Sequence, residues 1–167
     1  LYQDAEGRRD IGLAFNKLVR EGKIGPVMMG RDHHDVSGTD SPFRETSNIK
    51  DGSNVMADMA VQCFAGNAER GMSLCALHNG GGVGIGKSIN GGFGLLLDGS
   101  ERVDEILNSA MMWDVMGGVA RRNWARNEHA VETSVAYNKN YADKGHITIP
   151  YIADEDLVEK TVDKFVK

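Results

Sequence analysis

The sequence predicts an α/β fold, a layered domain in which a short central sheet is flanked by helices. Two observations predict it. Stretches with apolar residues at helical spacing alternate with short apolar runs bounded by glycine, in the order β-α-β-β-α-α-β-α after an opening helix. The chain, at 167 residues with 41% hydrophobic and 26% charged, is also long enough for one domain, residues 1–167, with a substantial core.

The opening helix, RRDIGLAFNKLVREGKIG, sets Ile11, Phe15, Leu18 and Val19 on one face and stops at Gly22. IGPVMMG then reads as a short buried strand. From Arg31 to Asn54 there is no period of either kind, and Asp, Ser, Gly and Asn are abundant. This is a long ordered loop, of the length that in compact domains accompanies function or disorder. Ser53 caps a helix running to about Asn67, with Val55, Met56, Met59, Ala60, Cys63 and Phe64 as its buried face and Gly71 as its end. MSLCALHN and FGLLLDG are the second and third strands. Ser100 opens a helix carrying Val103, Ile106, Leu107, Met111 and Trp113, broken at Gly117–Gly118. A helical pair follows from about Val119 to Tyr141, closed by Gly145; HITIPYI is a last strand and DEDLVEKTVDKFVK a terminal helix.

The net charge of -5 argues against a nucleic-acid or anionic-membrane binder, whose footprint is basic. No apolar run approaches the roughly 20 residues that span a bilayer, and no signal or transit segment is evident. The chain opens with Leu1 rather than Met, which reads as a processed or truncated piece. Cys63 and Cys75 are expected as reduced thiols of a cytosolic protein. Glycine is abundant, 21 residues, and eight of these lie between Gly80 and Gly94. Such clustering marks backbone that takes positive φ or closely approaches another group.

Two stretches carry candidate chemistry. GGVGIGKS, residues 81–88, fits the phosphate-binding pattern G-x-x-x-x-G-K-[ST] through Gly81, Gly86, Lys87 and Ser88. That pattern works only when a helix starts at the lysine and aims its N-terminus at the phosphates. Here INGGFG follows, and Gly91, Gly92 and Gly94 would each cost a helix about 1 kcal/mol relative to Ala. A P-loop NTPase is therefore rejected, leaving a glycine-rich strand-exit turn suited to a flat or phosphate-bearing ligand, or a wide structural turn. The second stretch packs Asp32, His33, His34, Asp35, Asp40, Arg44 and Glu45 together after a strand. Its spacing fits no zinc pattern, and adjacent histidines do not readily face one ion, so no metal is assigned. A catalytic loop and a polar loop stapled by its own hydrogen bonds both fit this composition. Arg121, Arg122 and Arg126 around Trp124 read as a solvated helical face or a partner interface.

Taken together, GRDHHDVSGTDSPFRETSNIKDGSN, ADMAVQ, LHNGGGVGIGKSINGGFGLLLDG, WDVMGGVARRNWARNE and IPYIADE closely resemble the C-terminal part of the urocanase (urocanate hydratase) family. The resemblance runs from the first residues to about Glu155 in long blocks. It implies the C-terminal piece of a larger cytoplasmic enzyme, a homodimer of histidine degradation, that adds water to urocanate to give imidazolonepropionate. NAD⁺ is the implied cofactor, acting as an electrophile toward the imidazole ring with no net hydride transfer. Asp32 matches the family's acid/base aspartate, and Gly80 matches a glycine that contacts NAD⁺. His33 and Gly81 are added as neighbours, and Arg44 is expected to hold the catalytic loop. The resemblance places the family's Rossmann-type NAD domain before Leu1, outside this chain, so the piece by itself is expected to be inactive. Leu1 falls where some members carry an active-site cysteine, so no cysteine role is carried over. The rival from another class is a non-catalytic dimerisation or ligand-binding module.

Overall fold

The structure, a computed structural model, describes residues 3–30, 39–40, 58–79, 84–85, 89–151 and 155–166. They fall into two compact units, Leu1–Gly118 and Val119–Lys167.

Helix α1 (Ala5–Arg20) begins where Asp4 caps it, its carboxylate accepting from the Gly7 N–H at 2.7 Å. It ends before Gly22, whose φ of 68° lies in the left-handed region that glycine tolerates. The face it buries is not the apolar one the sequence suggests. Phe15 is 43% exposed, while Gly12 and Asn16, one turn apart, are buried and Leu13 packs against the core. Two local facts turn the helix this way. Gly12 gives its space to Leu107, because a Cβ there would sit 2.5 Å from Leu107 Cδ2. Asn16 spends its amide on backbone and carboxylate partners, described below.

The sheet follows: β1 (Val27–Gly30), β2 (Thr39–Asp40), then helix α2 (Asp58–Glu69), β3 (Leu74–Asn79) and β4 (Ile89–Leu97). β4 is its spine, and every pairing is antiparallel. β3 runs along one edge, Leu74 opposite Gly94 through Asn79 opposite Ile89. β2 pairs with Ile89 and Asn90 and β1 reaches Gly94, residues that β3 also pairs with, so both occupy the other edge, end to end. The third strand thus begins four residues earlier than FGLLLDG suggests and takes in all three glycines. A strand, not a helix, follows Lys87–Ser88, as the rejection of the P-loop requires.

Period-two alternation sends Phe93, Leu95 and Leu97 to one face of the sheet. They meet Met72, Val103, Ile106, Leu107 and Met111 in a closed apolar cluster. The helical residues come from α3 (Glu101–Ile106), capped by Ser100 accepting from the Val103 N–H, and from a π-helical turn at Leu107–Met111. Helix α4 (Met112–Trp124) continues directly from that turn. The break expected at Gly117–Gly118 is absent: buried Met112 and Met116 secure the helix by packing, and the irregularity sits at the π turn instead.

In the second unit the pair is divided at Ala125–Asn127, where Arg126 takes φ 64°, and α5 (Glu128–Asn140) starts with Asn127 as cap. The strand expected at HITIPYI does not form over the described residues 146–151. Instead the Asn138 side chain accepts from the Ile147 N–H and donates to the Ile147 carbonyl, both at 2.7 Å, and Asn123 donates to the Thr148 carbonyl at 2.8 Å. Those bonds satisfy an extended backbone without a ladder. Helix α6 (Glu155–Phe165) closes the chain.

Candidate functional site

The residues singled out for chemistry, Asp32, His33, Gly80 and Gly81, lie outside the described residues, as do Arg44 and Lys87. What is described is where the segments carrying them leave and rejoin the sheet. The segment 31–38 leaves β1 at Gly30, opposite Gly94, and rejoins at Thr39, opposite Asn90. The glycine-rich segment leaves β3 at Asn79 and rejoins β4 at Ile89, which face each other. Ile89 therefore has Asp40 on one side and Asn79 on the other. Two inter-strand spacings separate those flanking residues, about 10 Å. Blocks that are far apart in sequence are thus tethered to one stretch of one strand, Ile89 to Gly94.

Three features suit that stretch to a ligand. Nine residues, 80–88, connect a pair of strands that a two-residue turn would join. Within them Gly84 is described, with φ 77° and no atom of the described residues within 4 Å of where a Cβ would sit, and Ile85 beside it is 78% exposed. Strand β4 contributes Gly91 and Gly92, both buried and one to each face of the sheet, so β4 itself adds no side chain at either position.

Behind the site, buried polar groups fix the helices, and periodicity alone does not find them. Asn67 on α2 donates through Nδ2 to Asp114 Oδ1 at 3.2 Å and to Cys63 Sγ at 3.3 Å. The Cys63 thiol donates to the same carboxylate oxygen at 3.4 Å. Asp114 is 2% exposed, so this cluster ties α2 to the start of α4 through a buried polar group that burial without hydrogen bonds would penalise. The available signal was its place in the block WDVMGGVARRNWARNE, where an acidic residue follows tryptophan inside an apolar helix face. Beside it, a Cβ on Gly66 would fall 2.0 Å from the Trp113 ring, and Arg70 stacks over that ring at 4.3 Å.

Asn16 is the second such group. It donates to the Ser100 carbonyl at 2.9 Å and to Asp104 Oδ1 at 2.7 Å, and accepts from the Gly99 N–H at 2.8 Å. Arg20 adds a bond to the Gly99 carbonyl at 2.6 Å and an ion pair with Asp104. Both cysteines are free thiols, and burial pushes the Cys75 thiol above its ordinary range. Among the described residues no three His, Cys, Asp or Glu side chains converge on a metal position. Nor is any helix among them long and apolar enough to cross a membrane.

Comparison with known proteins follows the same blocks. The family model described as the urocanase C-terminal domain matches residues 1–136. The chain is 51% identical to the urocanate hydratase of Mus musculus, an alignment covering 97% of this chain and 24% of that protein. It is 50% identical to a probable urocanate hydratase of Caenorhabditis elegans, over 96% of this chain and 24% of the relative. Against the urocanate hydratase of Homo sapiens the identity is 57%, over 79% of this chain and 20% of that protein. The chain spans about a quarter of the length of the curated relatives it matches.

Proposed function

This chain belongs to the urocanase C-terminal domain family, and from that premise we propose that it is the C-terminal part of a urocanate hydratase. The reaction is addition of water to urocanate to give imidazolonepropionate, in histidine degradation, by a cytoplasmic homodimer. What supports the reading is the attachment of both family blocks to the Ile89–Gly94 stretch of β4, where Ile89 pairs with Asp40 and Asn79 together and Gly94 with Gly30. The glycine backbone at Gly84, with no described atom within 4 Å of its Cβ position, is compatible with a dinucleotide lying against this part of the sheet.

NAD⁺, when bound, supplies an electrophilic centre for the imidazole ring. Gly80 and Gly81 would hold it through backbone approach, for which a Cβ is an obstacle. Asp32 would move the proton that hydration requires, one being taken from water and one placed on the substrate. His33, beside it, would orient that carboxyl or share its proton. Asp35, three residues further on, is assigned to stapling the loop.

The test uses the full-length enzyme. Asp32→Asn keeps size and hydrogen-bonding shape but cannot exchange a proton near neutral pH. It should lower kcat by about 100-fold or more while NAD⁺ stays bound, the contribution expected of a positioned acid/base. Asp35→Asn should do much less. Near-normal turnover in Asp32→Asn, or a defect explained wholly by lost NAD⁺, would remove the acid/base assignment. Absence of urocanate turnover in the unsubstituted enzyme would remove the whole reading.

A further inference from the structure

The sheet has a second face. Alternation that sends Phe93, Leu95 and Leu97 to the core sends Gly94 and Leu96 the other way, together with their partners Met28, Gly30 and Leu74. A small antiparallel sheet that meets water on one face normally carries polar residues there. Here Met28 is 58% exposed, Leu74 55% and Leu96 41%. Met28 pairs directly with Leu96, and Leu74 lies diagonally across Gly94. The patch is continuous: a Cβ on Gly94 would touch Met28 Sδ at 3.1 Å and Leu74 Cβ at 3.5 Å. Three strands thus contribute one outward apolar surface with a glycine floor. Around Gly94 both faces of the sheet are apolar, which is the pattern of an inner layer of a larger fold.

We propose that this outer face is the seat of the polypeptide that precedes residue 1 in the full-length enzyme, docked over Met28, Leu74 and Leu96. The inference rests on the functional reading above. It commits to this occupant because the relatives that match nearly the whole chain are about four times its length. An enzyme of that size has three quarters of its mass to place against a chain whose sheet leaves Met28, Leu74 and Leu96 exposed. The same strand, β4, holds both the patch and the site segments: the segment carrying Asp32 leaves from Gly30, opposite Gly94 of the patch, and the glycine-rich segment returns at Ile89. Docking on the patch therefore sets the position of the preceding polypeptide relative to the segments carrying Asp32 and Gly80.

The full-length protein tests this in two ways. A benzophenone amino acid in place of Met28, and separately of Leu74, is photolysed in the native enzyme and the cross-linked peptide is identified. The expected product migrates as a single chain and joins position 28 or 74 to a peptide from before residue 1. A product of twice the chain mass, a cross-link within residues 1–167, or no cross-link at either position overturns the proposal. Independently, Leu96→Cys should react with a maleimide at least about 100-fold more slowly in the native enzyme than in urea, as a covered side chain does. Labelling within about tenfold of the unfolded rate overturns it too. Urocanate turnover in the same preparations separates the two claims. An active enzyme with an open patch defeats the docking alone, whereas an unsubstituted enzyme without turnover defeats the functional reading whatever covers the patch.

Discussion

Asn16 shows how much one side chain can decide. Fully buried, it satisfies the Gly99 N–H, the Ser100 carbonyl and an Asp104 oxygen at the junction of α1 with the start of α3. Asn16→Ala would leave the Gly99 N–H without its acceptor in a part-buried place, while Arg20 still serves the Ser100 carbonyl and Asp104, at about 1–3 kcal/mol for a buried unsatisfied group. A urea-unfolding midpoint lowered by less than the experimental scatter would show that water takes over the role. Gly99 is held to the same junction by its backbone: φ is 86°, and a Cβ would sit 2.9 Å from the Arg20 Cα and N. Neither residue announces itself in sequence. An asparagine between Phe15 and Lys17 reads as surface, because a periodicity argument counts apolar positions and cannot see where an amide finds partners. The burial of Gly12 was hidden for the related reason that its value lies in what Leu107 does.

At the scale of elements, caps and glycine stops were legible, and pairing was not. Ser100 was read as the start of a helix, and it caps α3. Asp98 supports it from outside the helix, accepting from the Ser100 N–H at 2.8 Å, and hydrogen bonds from Ser100 hold its carboxyl below the usual aspartate range. A depressed carboxyl contributes stability above the ordinary aspartate range and loses it as the pH falls through its folded value. Asp98 is fully exposed, so the contribution is small and solvent-screened. Thermal midpoints measured from pH 5 downward should therefore drop slightly more steeply for the native sequence than for Asp98→Asn, and parallel curves would show that Asp98 has no such linkage. By contrast, HITIPYI has the alternation of a strand but takes its hydrogen bonds from Asn138 and Asn123. Period two describes a surface with two sides, and an edge to pair with must come from elsewhere in the fold. Gly117–Gly118 likewise carries the local cost of a break, which the packing of α4 outweighs.

For the whole molecule, composition and pattern gave the α/β class, and the long blocks led to the family that the comparisons then showed. The strand order had to come from the structure, and it matters because it ties residues near 30–40 to residues near 79–89 through β4. Asp32, His33, Gly80 and Gly81 remain assignments by resemblance, since they lie outside the described residues. The proposed function predicts how this chain behaves by itself. A dinucleotide is normally gripped where a strand gives way to a helix N-terminus, whose N–H groups and dipole meet the pyrophosphate. The segment after Lys87–Ser88 is a strand, so β4 offers no such helix to the phosphates. Glycine backbone alone can position a ligand that is held elsewhere but supplies few of the contacts that affinity needs. The 167-residue chain should accordingly show no urocanate turnover, and calorimetric titration with NAD⁺ should give a Kd well above about 1 μM, corresponding to less than about 8 kcal/mol of binding. Micromolar or tighter binding would mean that the hairpin between β3 and β4 is a nucleotide site in its own right, and the division of labour with the preceding polypeptide would have to be redrawn.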